Sequence, residues 1–369
     1  MKTLIVKNFK SLKNLHIESL SRVNLIVGKN NVGKSTLLEA VSIYLSEGDE
    51  EWIRMILDNR GETISRNIAD NEENEIVITN HFLSLFSGRE ENYSSLNGIL
   101  IGEGEDVNNS VKLNLVYLSE INSIDESGIE RRRIRPLAQE DITSDIDKNN
   151  VVGKGILIKS NKYSYIIPFY RPRSIYSNSF TIKKFQYVRT MDFNTSKNAD
   201  LFDRISLSPE EKYIIQGLNI INPKINKLNF LNSEESRRPE RIPIVTLKGD
   251  SNKYRLSSMG DGINRILTII LSLLNCRNGV LLLDEFETGL HYTVQDELWR
   301  IIFMLSEKLN IQVFVTSHSN DCIRSFARTN EKGLGKLIRL EERENQIVAM
   351  SYNNNNDILF ATENDVELR

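Results

Sequence analysis

Residues 28–36 read "GKNNVGKST", which matches the spacing G-x-x-x-x-G-K-[ST] in full. A phosphate chain needs backbone N–H groups pointing inward, and glycine at both ends lets the main chain wrap that closely. The helical pattern that opens at Gly33 aims its N-terminus at the same point, adding unpaired N–H groups and a positive dipole. The candidate contacts are Gly28, Asn30, Asn31, Gly33, Lys34, Ser35 and Thr36. Lys34 is placed to bridge the β- and γ-phosphates, and the Ser35 hydroxyl to ligate Mg2+. The implied ligands are therefore a nucleotide's phosphate chain and Mg2+.

A second stretch, "GVLLLDEFETGLH" at 279–291, supplies acids. Its apolar run Val280 to Leu283 reads as a buried strand delivering Asp284 and Glu285 to its carboxyl end, the edge where ligands gather in open α/β sheets. Asp284 there can hold the hydrated Mg2+ and Glu285 can orient or deprotonate the attacking water. A third stretch, "VFVTSHS" at 313–319, is another apolar strand ending in small polar residues. His318 at its end can donate to the γ-phosphate. His291 has two readings, a capping or interface contact and a role near the nucleotide. His16 and His81 carry no signal.

These groups need elements to hold them. Val23 to Val27 forms a compact apolar strand before the glycine loop, and Leu37, Leu38, Val41 and Leu45 follow at helical spacing. From Ile244 the chain alternates: a strand, a turn, a helix at 261–275, a strand at 279–284, a helix at 293–308, a strand at 311–316 and a helix at 320–328. Such alternation predicts an α/β fold with a parallel sheet covered by helices. Earlier runs, "VKLNLVYLSEI", "GILIKSNKYSYIIPFY" and "FTIKKFQYV", predict a β-rich lobe, and residues 46–110 give little pattern. The stretch from Leu201 predicts helix, with Ser208 as N-cap, Pro209 first and Glu211 at the capping-box position. The expected parts are 1–192 with the phosphate loop and β-rich lobe, 193–242 as a small helical insertion or arm, and 243–369 with the acids and His318.

Composition narrows the class. The chain has 369 residues, 40% hydrophobic and 26% charged, with net charge −3. That is an ordinary soluble composition, with no overall field drawing nucleic acid or an anionic membrane. Cys276 and Cys322 have neither disulfide nor metal-site spacing, so they read as small core side chains in a reducing, cytoplasmic setting. No stretch is long and apolar enough to span a bilayer, and the start lacks a signal-peptide pattern.

The order of phosphate loop, "LSSMGDG" at 256–262, "LLLDE" and a strand ending in His resembles that of ABC-class ATPases. The resemblance implies an ABC-type P-loop head in which "LSSMGDG" is the signature sequence. Two heads would then pair head-to-tail, with Ser257, Ser258 and Gly260 of one copy completing the ATP site of the other. The competing reading of this turn is a plain helix cap.

"FKSLKNLHIESLSRVNLIVGKNNVGKSTLLEA", "SMGDGINRIL", "LLLDEFETGLHYTVQDELWRIIF" and "VFVTSHSNDCI" resemble the OLD and RecF group within that class. Among these the chain is most similar to the ATPase subunit of PARIS-type anti-phage defence systems. The resemblance runs nearly the whole length, to "ATENDVELR", and so implies a complete protein. It implies an ATP-closed homodimer or higher homo-oligomer that restrains a separate effector, a Toprim-type nuclease, until a phage protein triggers it. The chain itself carries no HNH, PD-(D/E)xK or Toprim-like motif.

The alternative is a RecF/SMC-like DNA-binding ATPase of repair, for which Arg131, Arg132, Arg133, Arg237, Arg238 and Arg241 are the candidate DNA contacts. A transporter head is a weaker third reading. Two departures are visible: Thr288 stands where the group commonly has asparagine, and Gln139 and Gln186 both compete for the glutamine loop.

Overall fold

The strand–helix alternation becomes a parallel sheet in the computed structural model. It describes residues 1–61, 72–124, 130–143, 150–169, 184–190, 195–232, 240–352, 355 and 358–359. The chain divides into two units that it visits in turn. The first comprises 1–19, 39–183 and 342–348, and the second 20–38, 184–341 and 349–369.

The first unit is a seven-stranded antiparallel sheet. It contains β1 (Leu4–Phe9), β2 (Leu12–Ile17), β4 (Ile99–Gly102), β5 (Ser110–Ile124), β6 (Glu130–Leu137), β7 (Val151–Lys159) and β8 (Ser164–Pro168). The order is β2-β1-β4-β5-β7-β8, with β6 also paired to β5. β2 shows why these residues choose a strand: Leu12, Leu15 and Ile17 are buried while the lysine and asparagine between them are exposed.

Two helices that the polar composition hid also lie between β1 and β4 in sequence, α2 (Glu50–Asn59) and α3 (Glu72–Leu83). The Asp49 side chain caps α2 by accepting from Trp52 N–H, and Ile53, Ile56 and Leu57 make its buried stripe. Glu39 is buried in this unit and pairs with Lys10 and Arg60 at 2.9 and 2.8 Å.

The second unit holds β3 (Val23–Val27), β9 (Phe185–Val188), β13 (Val280–Leu283), β14 (Gln312–Thr316) and most of β15 (Gly335–Arg343); β16 (Gln346–Tyr352) lies beside β15 in the sheet, and 342–348 belong to the first unit. From β15 to β9 every pairing is parallel, in the order β15-β3-β14-β13-β9. β3 and β13 are buried at every position, as strands covered on both faces must be. The expected parallel sheet is present.

A smaller antiparallel sheet contains β10 (Ile225–Asn232), β11 (Arg241–Leu247) and β12 (Lys253–Arg255). The remaining helices are α1 (Lys34–Leu45), α4 (Thr195–Asp203), α5 (Lys212–Leu218), α6 (Asp261–Leu274), α7 (Tyr292–Lys308) and α8 (Asn320–Thr329).

Between 193 and 242, where the sequence predicts a helical insertion or arm with Ser208 as N-cap, the described residues include α4, α5, β10 and the start of β11. The side chains Leu201, Phe202, Ile214, Leu218 and Phe230 belong to the same core as α6 and β13. Leu207 sits at φ 63° and its N–H donates to the Glu211 carboxylate, so Glu211 closes a turn instead of a capping box. The helix starts only at Lys212, and Ser208 makes no cap. Below β13, Phe286 stacks on Trp299 with ring centroids 4.3 Å apart, and Phe326 meets Trp299 edge-on.

Candidate active site

Gly28 follows β3 and begins the phosphate loop at φ 149°, where a Cβ would lie 2.5 Å from the Leu340 carbonyl oxygen. Only glycine fits there. Asn31, at φ 65°, takes the left-handed turn that asparagine tolerates better than most side chains. Asn30 and Asn31 are exposed, whereas Val32 is buried and pins the loop. α1 then begins directly at Lys34.

Lys34 Nζ donates to the carbonyls of Gly28 and Lys29 at 2.7 and 2.9 Å, so the ammonium lies back over its own loop. Burial lowers its pKa below the usual lysine value, while the nearby carboxylates Glu287, Glu285 and Asp284 work the other way.

The Ser35 hydroxyl donates to Asp284 Oδ1 at 3.0 Å, joining the first turn of α1 to the end of β13. Thr316, ending β14, donates to the same oxygen at 2.6 Å and accepts from Glu285 N–H at 2.8 Å. One hydroxyl thus fixes both acids. A hydroxyl and a carboxylate oxygen are hard donors suited to Mg2+, which keeps several waters and is otherwise held by nucleotide phosphates.

Glu285 has φ 49°, an uncommon conformation for a residue with a side chain. Three contacts hold it there. Phe286 is fully buried against Trp299, so the side chains on either side of it are placed by core packing. Arg265, on α6 and itself fully buried, donates to the Asp284 and Glu285 carbonyls at 2.6 and 3.0 Å and to Arg189 O at 2.7 Å. Thr288 donates to Glu285 Oε2 at 3.1 Å.

His318 follows β14, half exposed, with its N–H and its Nδ1 both on Glu287 Oε1 at 2.8 and 3.0 Å. Lys34, Ser35, Asp284, Glu285 and His318 therefore follow the carboxyl ends of three adjacent parallel strands, β3, β13 and β14.

The turn 256–260 stands in a different setting. Leu256–Met259 is a 3-10 turn, Leu256 is buried, and Ser257, Ser258 and Gly260 are exposed. Ser258 Oγ donates to Arg255 O at 2.7 Å. Gly260, at φ 101°, precedes α6, whose first amides receive no side-chain cap. Gly262 packs so tightly that a Cβ there would sit 2.7 Å from Gly289 O. The first turn of α6 thus rests on the loop that follows the acids.

Other candidates are placed elsewhere. His291 is the N-cap residue of α7, with Nδ1 2.9 Å from the Thr293 hydroxyl and its ring against Tyr292. Gln186 lies inside β9, and Gln139 lies in a 3-10 turn of the first unit. Arg241 makes a two-toothed pair with Asp203. Arg131, Arg132 and Arg133 lie on β6, and Arg237 and Arg238 fall outside the described residues. Cys276 and Cys322 are buried thiols, Cys276 pushed up to about 12 by burial. Sequence reasoning missed Arg265, Thr316 and Glu287. Their signals were a lone charge in the apolar run of α6, a hydroxyl ending a strand, and a third acid two residues after the second.

The family description "AAA ATPase domain" matches residues 1–323. The chain belongs to this ATPase family. Across 388 aligned positions it is 23% identical to a protein of Helicobacter pylori named ATP/GTP phosphatase, covering 98% of both chains. A 65-residue stretch is 34% identical to the DNA replication and repair protein RecF of Clostridioides difficile, covering 16% of this chain and 18% of that one. Among solved structures, an SMC head bound to the C-terminal winged-helix domain of ScpA superposes with a TM-score of 0.50 at 14% identity, covering 95% of this chain and 98% of that one. The fold is that of an ABC-type ATPase head, and the protein hydrolyses ATP. Among the described residues no helix is long and apolar enough to cross a membrane.

Proposed function

We propose that the chain is an ATP-driven switch in which two copies close around nucleotide and reopen after hydrolysis. The observation that carries this reading is the Ser35–Asp284–Thr316–Glu285 chain of hydrogen bonds across three strand ends. In it, Lys34 leaves the loop carbonyls for the β- and γ-phosphates. Ser35 and Asp284 hold Mg2+, which supplies charge neutralisation on the phosphate oxygens. Glu285 orients and deprotonates the attacking water, and His318 contacts the γ-phosphate. The amides of Gly28, Asn30, Asn31, Gly33 and Thr36 complete the cradle.

The exposed Ser257, Ser258 and Gly260 at the uncapped start of α6 act on the nucleotide of a second copy. Their exposure and the unclaimed amides support this. Glu285→Gln is expected to bind ATP, slow hydrolysis by about 100-fold or more, and sediment as a dimer with ATP. Ser258→Arg is expected to stop hydrolysis while the monomer still binds ATP. Loss of ATP binding in that monomer would contradict the trans arrangement.

In the finer reading the switch controls a separate effector, a Toprim-type nuclease, in a cytoplasmic anti-phage system. The test is co-purification of a nuclease subunit from the native operon with ATP and its release on infection. The match to a RecF segment favours a second reading, direct DNA binding. Salt-sensitive duplex binding by the ATP-bound protein tests it. Of its candidate contacts, Arg241 is paired with Asp203 in an exposed ion pair that a DNA phosphate would have to displace.

A further inference from the structure

We propose that Glu287 is a positioning residue for hydrolysis, locking the His318 ring so that Nε2 is the nitrogen offered to the γ-phosphate. This rests on the reading of His318 as a γ-phosphate contact.

A carboxylate has acceptors only, so the contact between Glu287 Oε1 and His318 Nδ1 at 3.0 Å requires the proton on Nδ1. The same oxygen accepts the His318 backbone N–H at 2.8 Å. Two donors of one residue converge on one oxygen, which fixes the ring's position and its rotation together. Nε2 is then the nitrogen left for a ligand, and it donates to a phosphate oxygen when the ring carries a second proton there.

Glu287 is itself held. It follows Phe286, which is fully buried against Trp299, and its own side chain is only 11% exposed. Its second oxygen, Oε2, is buried with no hydrogen-bond partner among the described residues. A carboxylate serving only as a surface ion-pair partner would have solvent on that side. Among the acids acting on Lys34, Glu287 is foremost, ahead of Glu285 and Asp284. The same carboxylate thus contacts the histidine from β14 and favours the charged form of the lysine from the loop, the two groups assigned to the γ-phosphate. Such outer partners orient a histidine and select its tautomer, here with a carboxylate in the role.

The test uses the full chain with Glu287→Ala, Glu287→Gln and His318→Ala. It measures single-turnover ATP hydrolysis, ATP affinity by displacement of a fluorescent ATP analogue, and the long-range proton–nitrogen spectrum of the His318 ring. Glu287→Ala is expected to lower the hydrolysis rate roughly 10- to 100-fold, with ATP affinity within about 3-fold of the parent. Glu287→Gln should recover most of that loss, because its carbonyl oxygen still accepts from both donors. Without nucleotide the His318 ring should carry its proton on Nδ1 in the parent and in Glu287→Gln and shift toward Nε2 in Glu287→Ala; with ATP bound, the parent's Nε2 should carry a second proton.

Parent-like turnover in Glu287→Ala overturns the proposal, and so does an unchanged tautomer in that variant. If Glu287→Ala does not fold, the parent spectrum decides: a ring protonated on Nε2 alone overturns the proposal. Undiminished hydrolysis in His318→Ala instead removes the γ-phosphate reading of His318, a separate failure from a wrong tautomer.

Discussion

Each unit buries a carboxylate, and the two are held in opposite ways. In the antiparallel unit Glu39 is clamped by two cations, Lys10 and Arg60. In the parallel unit Asp284 is held by two hydroxyls, from Ser35 and Thr316. Cationic partners cancel a charge and turn it into a brace. Neutral donors fix a carboxylate in space without cancelling it, so an arriving cation still gains from its approach. The same sequence thus uses one residue chemistry for structure in one place and keeps it available for reaction in another.

That contrast can be broken at either end. Asp284→Asn should cost most: hydrolysis falls by about 100-fold or more, worth about 2.7 kcal/mol on the barrier. Its thermal midpoint should stay near that of the parent, because an amide oxygen still accepts from both hydroxyls. A stable variant that turns over normally would erase the distinction.

Glu39→Gln should do the reverse. It removes a buried charge from between two cations, and denaturant unfolding should report a loss of about 2 kcal/mol, below the value for fully buried pairs because Lys10 and Arg60 reach solvent. Hydrolysis per folded molecule should be unchanged.

The smallest effect sharpens the comparison by showing what an exposed pair contributes. Glu91 is held below the usual carboxylate range by the hydrogen bond from Lys154, with Tyr93 assisting. A lowered folded-state pKa contributes stability above the unfolded value and loses it as pH falls through the folded one. Glu91→Gln should therefore cost about 0.5 kcal/mol at neutral pH, a figure for screened pairs. The difference from the parent should shrink as pH falls through the lowered carboxyl value and vanish only below it, where the parent's carboxyl is protonated too.

The residues legible in the sequence were those whose role is set by neighbours along the chain. A glycine loop between strand and helix, two acids ending an apolar run, and a histidine ending another can all be read from spacing. Arg265, Thr316 and Glu287 could not, because each acts on a group some twenty to thirty positions away through a contact that only the sheet order creates. Thr288 shows the same limit: its departure from the common asparagine is visible in the sequence, but its bond to Glu285 in its own chain is not. α2 was a different miss. Its cap and apolar stripe were present, but the charged residues between them lowered the local hydrophobicity that drew attention elsewhere. At Glu211 the local signal misled, because the left-handed Leu207 turned the carboxylate back toward its own N–H.

The chain has two tryptophans, and each unit holds one: Trp52, bonded to Ser42, and Trp299, stacked beneath Phe286. Nature has thereby installed a private lamp under the acidic loop. With Trp52→Phe, the tryptophan emission of the molecule comes from Trp299 alone, and any tilt of Phe286 as nucleotide arrives or departs becomes visible in a stopped-flow trace without a label.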